Sequence, residues 1–144
     1  MQTFTELKNL KNFCESLDST PDYREVLNNL ADDFEVDGVR FISTEAIDSI
    51  QQEELSNDLY VLGCFNAWFL RDVLDMDIDV IEAMQQVEAF EAIGKLIVAT
   101  GKLEELQQDY AGADGYGHHF NHWDGGEIEL TISGTDYLVF DNHQ

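Results

Sequence analysis

The sequence predicts an α+β protein that is mostly α, with five to six helices in one compact bundle-like domain (1–144) and a C-terminal β-hairpin. Three observations predict this. Apolar residues recur at spacings of three and four from Phe4 to about Tyr110, which gives a helical part over 1–110. Glycines then crowd a His- and aromatic-bearing loop over 111–126. Residues 127–141 finally alternate apolar with polar around a Ser-Gly turn, the pattern of a hairpin.

Phe4, Leu7, Leu10, Phe13, Cys14 and Leu17 form one apolar stripe, so a first helix is expected over 3–17. Thr20 and Pro21 read as N-cap and N1 of a second helix running to about Phe34. Gly38 breaks that pattern, and Val39 to Ile42 read as a short extended piece or connector. Thr44 is placed as the cap of a third helix carrying Ala46, Ile47, Ile50 and Leu55. Leu59 to Leu74 is the most apolar segment and reads as a central helix. Asp77 or Asp79 caps the next, Val80 to about Thr100, with Gly101 as its left-handed C-terminal residue. Lys102 to Tyr110 makes one more short helix. The segment 111–126, with five glycines, reads as too flexible for regular structure. Ile128, Leu130 and Ile132 then lead through a three-to-four-residue loop into Tyr137–Phe140.

Composition bounds the function. The chain has 144 residues, with 30 Asp and Glu against 7 Lys and Arg, for a formal net charge of -23. Its 44% hydrophobic content, including 9 Phe, 5 Tyr and 2 Trp, supports a core and excludes a disordered acidic chain. A surface this negative repels DNA, RNA and anionic lipid, whose affinity for proteins comes from Lys and Arg. No apolar run approaches the roughly 20 residues of a membrane span, and no basic stretch followed by an apolar one opens the chain. A cytoplasmic location is therefore expected. Cys14 and Cys64 lie within apolar helical patterns and are expected as buried free thiols.

The distribution of charge is the most informative feature. Residues 12–94 hold 20 acids and only Arg24, Arg40 and Arg71, and no Lys or Arg comes after Lys102. The acids group as Asp32, Asp33, Glu35 and Asp37, then Glu45, Asp48, Glu53, Glu54 and Asp58, then Asp72, Asp75, Asp77, Asp79 and Glu82. Apart from Arg71 they lack the cation four residues on that ordinarily supports an exposed helix. Preference for helix N-termini explains part of each group. The total exceeds that, and self-repulsion at this charge costs stability. Carboxylates three or four residues apart on a helix sit roughly 5–6 Å apart. Phosphates along a DNA strand have a similar spacing, on the order of 6–7 Å.

On these acid clusters, its size and its charge, the whole chain resembles the small acidic DNA-mimic proteins of phages and mobile elements. Members of that class block restriction enzymes, CRISPR effectors, DNA glycosylases or nucleoid proteins. The resemblance implies a stoichiometric, non-enzymatic inhibitor without a cofactor, acting in the cytoplasm of a bacterial host. Its partner is then a DNA- or RNA-binding protein, a nuclease or CRISPR effector, with no direct contact to nucleic acid or membrane. These fourteen acids and Trp123 are the candidate partner-binding residues. A solvated acidic face without a partner and adaptation to high salt are the competing accounts of the charge. A second functional reading is a small adaptor binding through the aromatic loop and hairpin. A homodimer paired through a hairpin edge or an apolar helix face is compatible with either.

Gly115 to Gly126 brings His118, His119, His122 and Asp124 together, with His143 further on, and imidazole and carboxylate are ordinary metal ligands. The spacing matches no strong metal pattern, and a structured loop anchored by Tyr116, Phe120 and Trp123 is the favoured reading. Asp75, Asp77 and Asp79 are spaced like the start of a calcium loop, but Val80 and Gln86 stand where Gly and Glu are required. No phosphate cradle and no nucleophile turn is present.

Overall fold

A computed structural model describes the backbone of residues 4–142 and the side chains of residues 9–142. The side chains of Phe4 and Leu7, and His143, lie outside the described residues. Within them the chain forms nine helices and one four-stranded antiparallel sheet, and it divides into two compact units. The first unit joins residues 1–47 to 114–144, and the second is 48–113. The sheet and the larger number of shorter helices replace the expected bundle of five or six.

In the first unit, α1 (Phe4–Ser16) matches the expected stripe, with Leu10, Cys14 and Leu17 buried. Helix α2 (Tyr23–Asn28) starts later than expected. Thr20 is left-handed (φ 41), and Asp22 is the cap, its carboxylate accepting the Arg24 N–H at 2.9 Å. It also ends earlier, because residues 33–43 form a hairpin in place of helix and connector. Strands β1 (Asp33–Val36) and β2 (Val39–Ser43) meet at Asp37 and Gly38, both with positive φ (51 and 84). Asp-Gly is the preferred pair for this tight turn, and the strands it joins present Phe34, Val36, Val39 and Phe41 on one face.

The C-terminal hairpin, β3 (Ile128–Ile132) and β4 (Thr135–Asp141), forms as expected except that its loop is two residues, Ser133 and Gly134, again both at positive φ. Strand β4 pairs with β2, Phe41 opposite Val139, giving the order β1-β2-β4-β3. One face of the sheet packs with Leu10, Cys14, Leu17 and Val26 from α1, α2 and the turn between them. The opposite face carries Ile42, Leu138 and Phe140, and Phe120 packs on Phe140.

The second unit is helical. It comprises α3 (Ile47–Ser56, whose first residue closes the other unit), α4 (Leu59–Gly63), α5 (Ala67–Leu74), α6 (Ile78–Gln86), α7 (Phe90–Ala99) and α8 (Leu103–Asp114, whose last residue reopens it). Leu55, Leu62, Leu70, Val73, Ile81, Ile93, Ile97 and Leu106 form its core. Thr44 does not cap α3; the Ser43 hydroxyl accepts the Ala46 N–H instead. The single helix expected over 59–74 is two, because Asn66 caps α5 by accepting the Trp68 N–H. The helix expected over 80–100 is also two, broken where Glu88 turns left-handed (φ 58). Gly101 is left-handed after α7, as expected (φ 72).

Helices α4 and α7 touch backbone to backbone. A Cβ on Gly63 would collide with the Phe90 carbonyl, and one on Gly94 with the Leu59 carbonyl. Helices α3 and α8 are joined by amides. The buried Gln107 donates Nε2–H to Asp48 (2.8 Å) and Gln51 (2.9 Å) and accepts from Gln52 (2.9 Å), while the buried Gln51 Nε2 has no hydrogen-bond partner. Replacing Gln107 by Leu removes all three of these bonds from a buried position, and we expect a loss of about 2–4 kcal/mol in urea unfolding. Gln51→Met removes the orphaned donor together with one acceptor and should cost about 1 kcal/mol or less.

Cys14 is buried as expected, but Cys64 is exposed at the end of α4, where the close seat of Gly63 on α7 turns the next residue outward. Burial pushes the Cys14 thiol up to about 11, with Asp22 and Glu15 adding to the effect. At pH 8 its thiolate fraction is about one in a thousand. A disulfide reagent should therefore titrate one thiol per native chain at that pH and two after denaturation.

Candidate functional site

Twelve of the fourteen candidate acids are exposed; Asp48 and Glu54 are half-buried. Asp32, Asp33, Glu35 and Asp37 lie on and beside β1, an outer strand of the sheet, and Glu45 lies in the turn before α3. Three acids of this group expected to be unpartnered are engaged, Asp37 by accepting the Asp22 N–H at 3.1 Å. Asp33 takes both ends of the Arg40 guanidinium, at 2.9 and 2.7 Å, because the hairpin register brings β2 alongside it. Asp32 accepts the Ser43 hydroxyl at 2.9 Å. Charged side chains on an outer strand also oppose its pairing with another chain.

The remaining members of the other two groups belong to the helical unit, and several shape its helix ends. Asp58 caps α4 through the Val61 N–H (3.2 Å), and Asp77 caps α6 through the Asp79 N–H (3.0 Å). Asp75 is the left-handed residue that closes α5 (φ 53). Asp72 pairs with Arg71 at 2.9 Å. Asp79 and Glu82 stand three apart on α6, a spacing of roughly 5–6 Å. Capping fixes the carboxylates of Asp58 and Asp77 in place without removing their charge.

Five of the cations meet groups of the chain itself. Arg40 lies over Phe120 (5.0 Å) as well as on Asp33, Arg71 lies over Trp68 (4.7 Å), and Lys11 and Arg24 flank the Tyr23 ring. Lys95 approaches Glu91 at 3.8 Å.

The loop read as flexible is ordered. Helix α8 runs on through Gly112 to Asp114, and Gly117–Phe120 forms α9, its first amides held by Glu127, whose Oε1 accepts N–H from Tyr116 (2.8 Å) and Gly117 (3.1 Å). The buried Asn121 organises the turn from His122 to Gly126. Its amide donates to Asp124 (2.9 Å) and the Gly126 carbonyl (2.8 Å), and its oxygen accepts the Trp123 (2.9 Å) and Asp124 (3.2 Å) N–H groups. Asn121 is not among the candidates the sequence singles out; its signal is an Asn three residues before an Asp, between aromatics. His118 and His122 are exposed and His119 lies edge-on to Phe120. Among the described residues no three His, Cys, Asp or Glu side chains are grouped to hold a metal ion. Trp123 is 60% exposed.

No helix of the described residues is long and apolar enough to cross a membrane. No protein-family model, no curated protein and no solved structure matches the chain.

Proposed function

We propose that the chain is a non-enzymatic inhibitor of a DNA- or RNA-binding protein, presenting carboxylates to the basic surface where that protein holds nucleic acid. The observation that carries this reading is the exposure of twelve candidate acids on helices, helix ends, a strand and the adjoining turns, while Arg40 and Arg71 are tied to the chain's own acids and rings. Such a surface steers a Lys- and Arg-lined groove over several ångströms through the same field that steers DNA. Phage or plasmid counter-defence, against a restriction nuclease or CRISPR effector in a bacterial cytoplasm, is the setting the reading implies. The test is capture from a bacterial lysate with stepped salt elution. Release of a nucleic-acid-binding protein between roughly 0.2 and 1 M salt, and its displacement by duplex DNA, supports the reading. A partner that resists salt and ignores DNA overturns it.

The adaptor reading draws on the exposed Trp123 and on Ile128, 41% exposed on the outer strand β3. It requires binding that survives salt and fails on Trp123→Ala.

A further inference from the structure

A cavity of about 230 Å³ opens in the first unit between the C-terminal end of α1, the loop after α9 and the start of β3. At roughly 30 Å³ per water it has room for a planar cation and several waters. Among the described residues its lining includes Asp18, Asp124, Glu127 and Asp141, with Trp123 and Ile128, and no Lys, Arg or His. Helix α1 has no basic residue in its last turn, so the negative end of its dipole adds to the carboxylates at the cavity. The carboxylates are set in place by bonds to the loop and turn. Asp124 Oδ1 accepts the Gly126 N–H at 2.9 Å, Glu127 Oε1 holds the start of α9, and Asp141 Oδ1 accepts the Ser19 hydroxyl at 2.5 Å. The second oxygens of Asp124 and Glu127 carry none of these bonds.

We propose that this cavity receives an arginine side chain of the protein partner, the guanidinium lying on the Trp123 indole and bonded by the carboxylates around it. The chain's own Arg40 shows the arrangement in miniature, its guanidinium over the Phe120 ring and gripped at both ends by the Asp33 carboxylate. Arginine fits such a place better than lysine, since its planar, weakly hydrated head stacks on a ring and forks onto a carboxylate together. The inference deepens the inhibitor reading and rests on it, because a nucleic-acid-binding surface supplies arginines that ordinarily meet phosphates.

The experiment tracks backbone and indole N–H resonances of the full chain titrated with acetyl-Gly-Arg-Gly-amide and with its lysine and citrulline counterparts. The expected result is saturable movement of the Trp123 indole and Gly126 signals with the arginine peptide, weaker with lysine and absent with citrulline. Asp18→Asn should weaken the arginine peptide at least threefold, and Trp123→Leu should remove saturation while Trp68→Leu does not. Thermal unfolding checks that each variant is folded. Equal response to all three peptides, or an unaltered affinity in Asp18→Asn and Trp123→Leu, overturns the proposal. So does tighter binding of spermidine at the same signals, which assigns the cavity to a free polycation. A DNA-displaceable partner that binds Trp123→Leu with unchanged affinity would sink the cavity and leave the inhibitor reading standing. A partner indifferent to DNA would do the reverse.

Discussion

Gly94→Ala should lower stability by about 3 kcal/mol, or roughly 10 °C in Tm, although alanine favours a helix over glycine by about 1 kcal/mol. The added methyl would collide with the Leu59 carbonyl, a backbone atom that no side-chain rotation moves. Helices α4 and α7 must separate, and Leu62, Ile93 and Ile97 lose packing as they do. The control is Gly112→Ala in α8, where a Cβ meets open space; there the helix preference acts alone and a gain of up to about 1 kcal/mol is expected. Urea unfolding of the two variants side by side gives the opposite signs or refutes the close approach.

Neutralising one acid group without disturbing its fold should have the largest effect on binding. In Asp75→Asn, Asp77→Asn, Asp79→Asn and Glu82→Gln combined, asparagine keeps the cap at 77 and tolerates the left-handed backbone at 75. Stability should change by about 1 kcal/mol or less, since lost attraction to the α6 dipole is offset by relieved repulsion. If α6 faces the basic surface, affinity for the partner at 0.1 M salt should fall by about 2 kcal/mol, roughly 30-fold. The difference from the unaltered chain should vanish towards 1 M salt as the field is screened. A loss that persists in high salt would point to shape in place of charge, and titration calorimetry at three salt concentrations separates the two.

The elements legible in the sequence are those whose signal is local. Helix α1 is readable from the spacing of Leu10, Cys14 and Leu17, and the C-terminal hairpin from Ile128, Leu130 and Ile132. The first hairpin is legible too, since Asp37-Gly38 between apolar strands is a turn signal, yet a continuing 3.6-residue match through Phe34 outweighs it. The breaks within 59–74 and 80–100 are not. Neither contains proline; the first break combines the Asn66 cap with the seat of Gly63 on α7, and the second is the left-handed turn at Glu88 that lets α7 fold back on α4. The acid groups are visible as charge, and the caps at Asp58 and Asp77 fall where helix starts are expected, but the grip of Asp33 on Arg40 depends on strand register. The cavity beside Trp123 is beyond sequence reasoning altogether, because it is assembled from the end of α1, the loop after α9 and the start of β3.

The pairing of β2 with β4 dictates an order of events on the ribosome. Residues 48–113 interrupt the first unit, so a chain emerging from its N-terminus can complete the helical insert while Phe41 still waits for Val139. The insert needs only neighbours in sequence, whereas the sheet must close over everything between its two hairpins. Until then the nascent chain carries β2 with its inner edge open, a template for unwanted pairing. Asp32, Glu35 and Asp37 lie on or beside the hairpin that carries this open edge, and like charge there opposes its pairing with another copy.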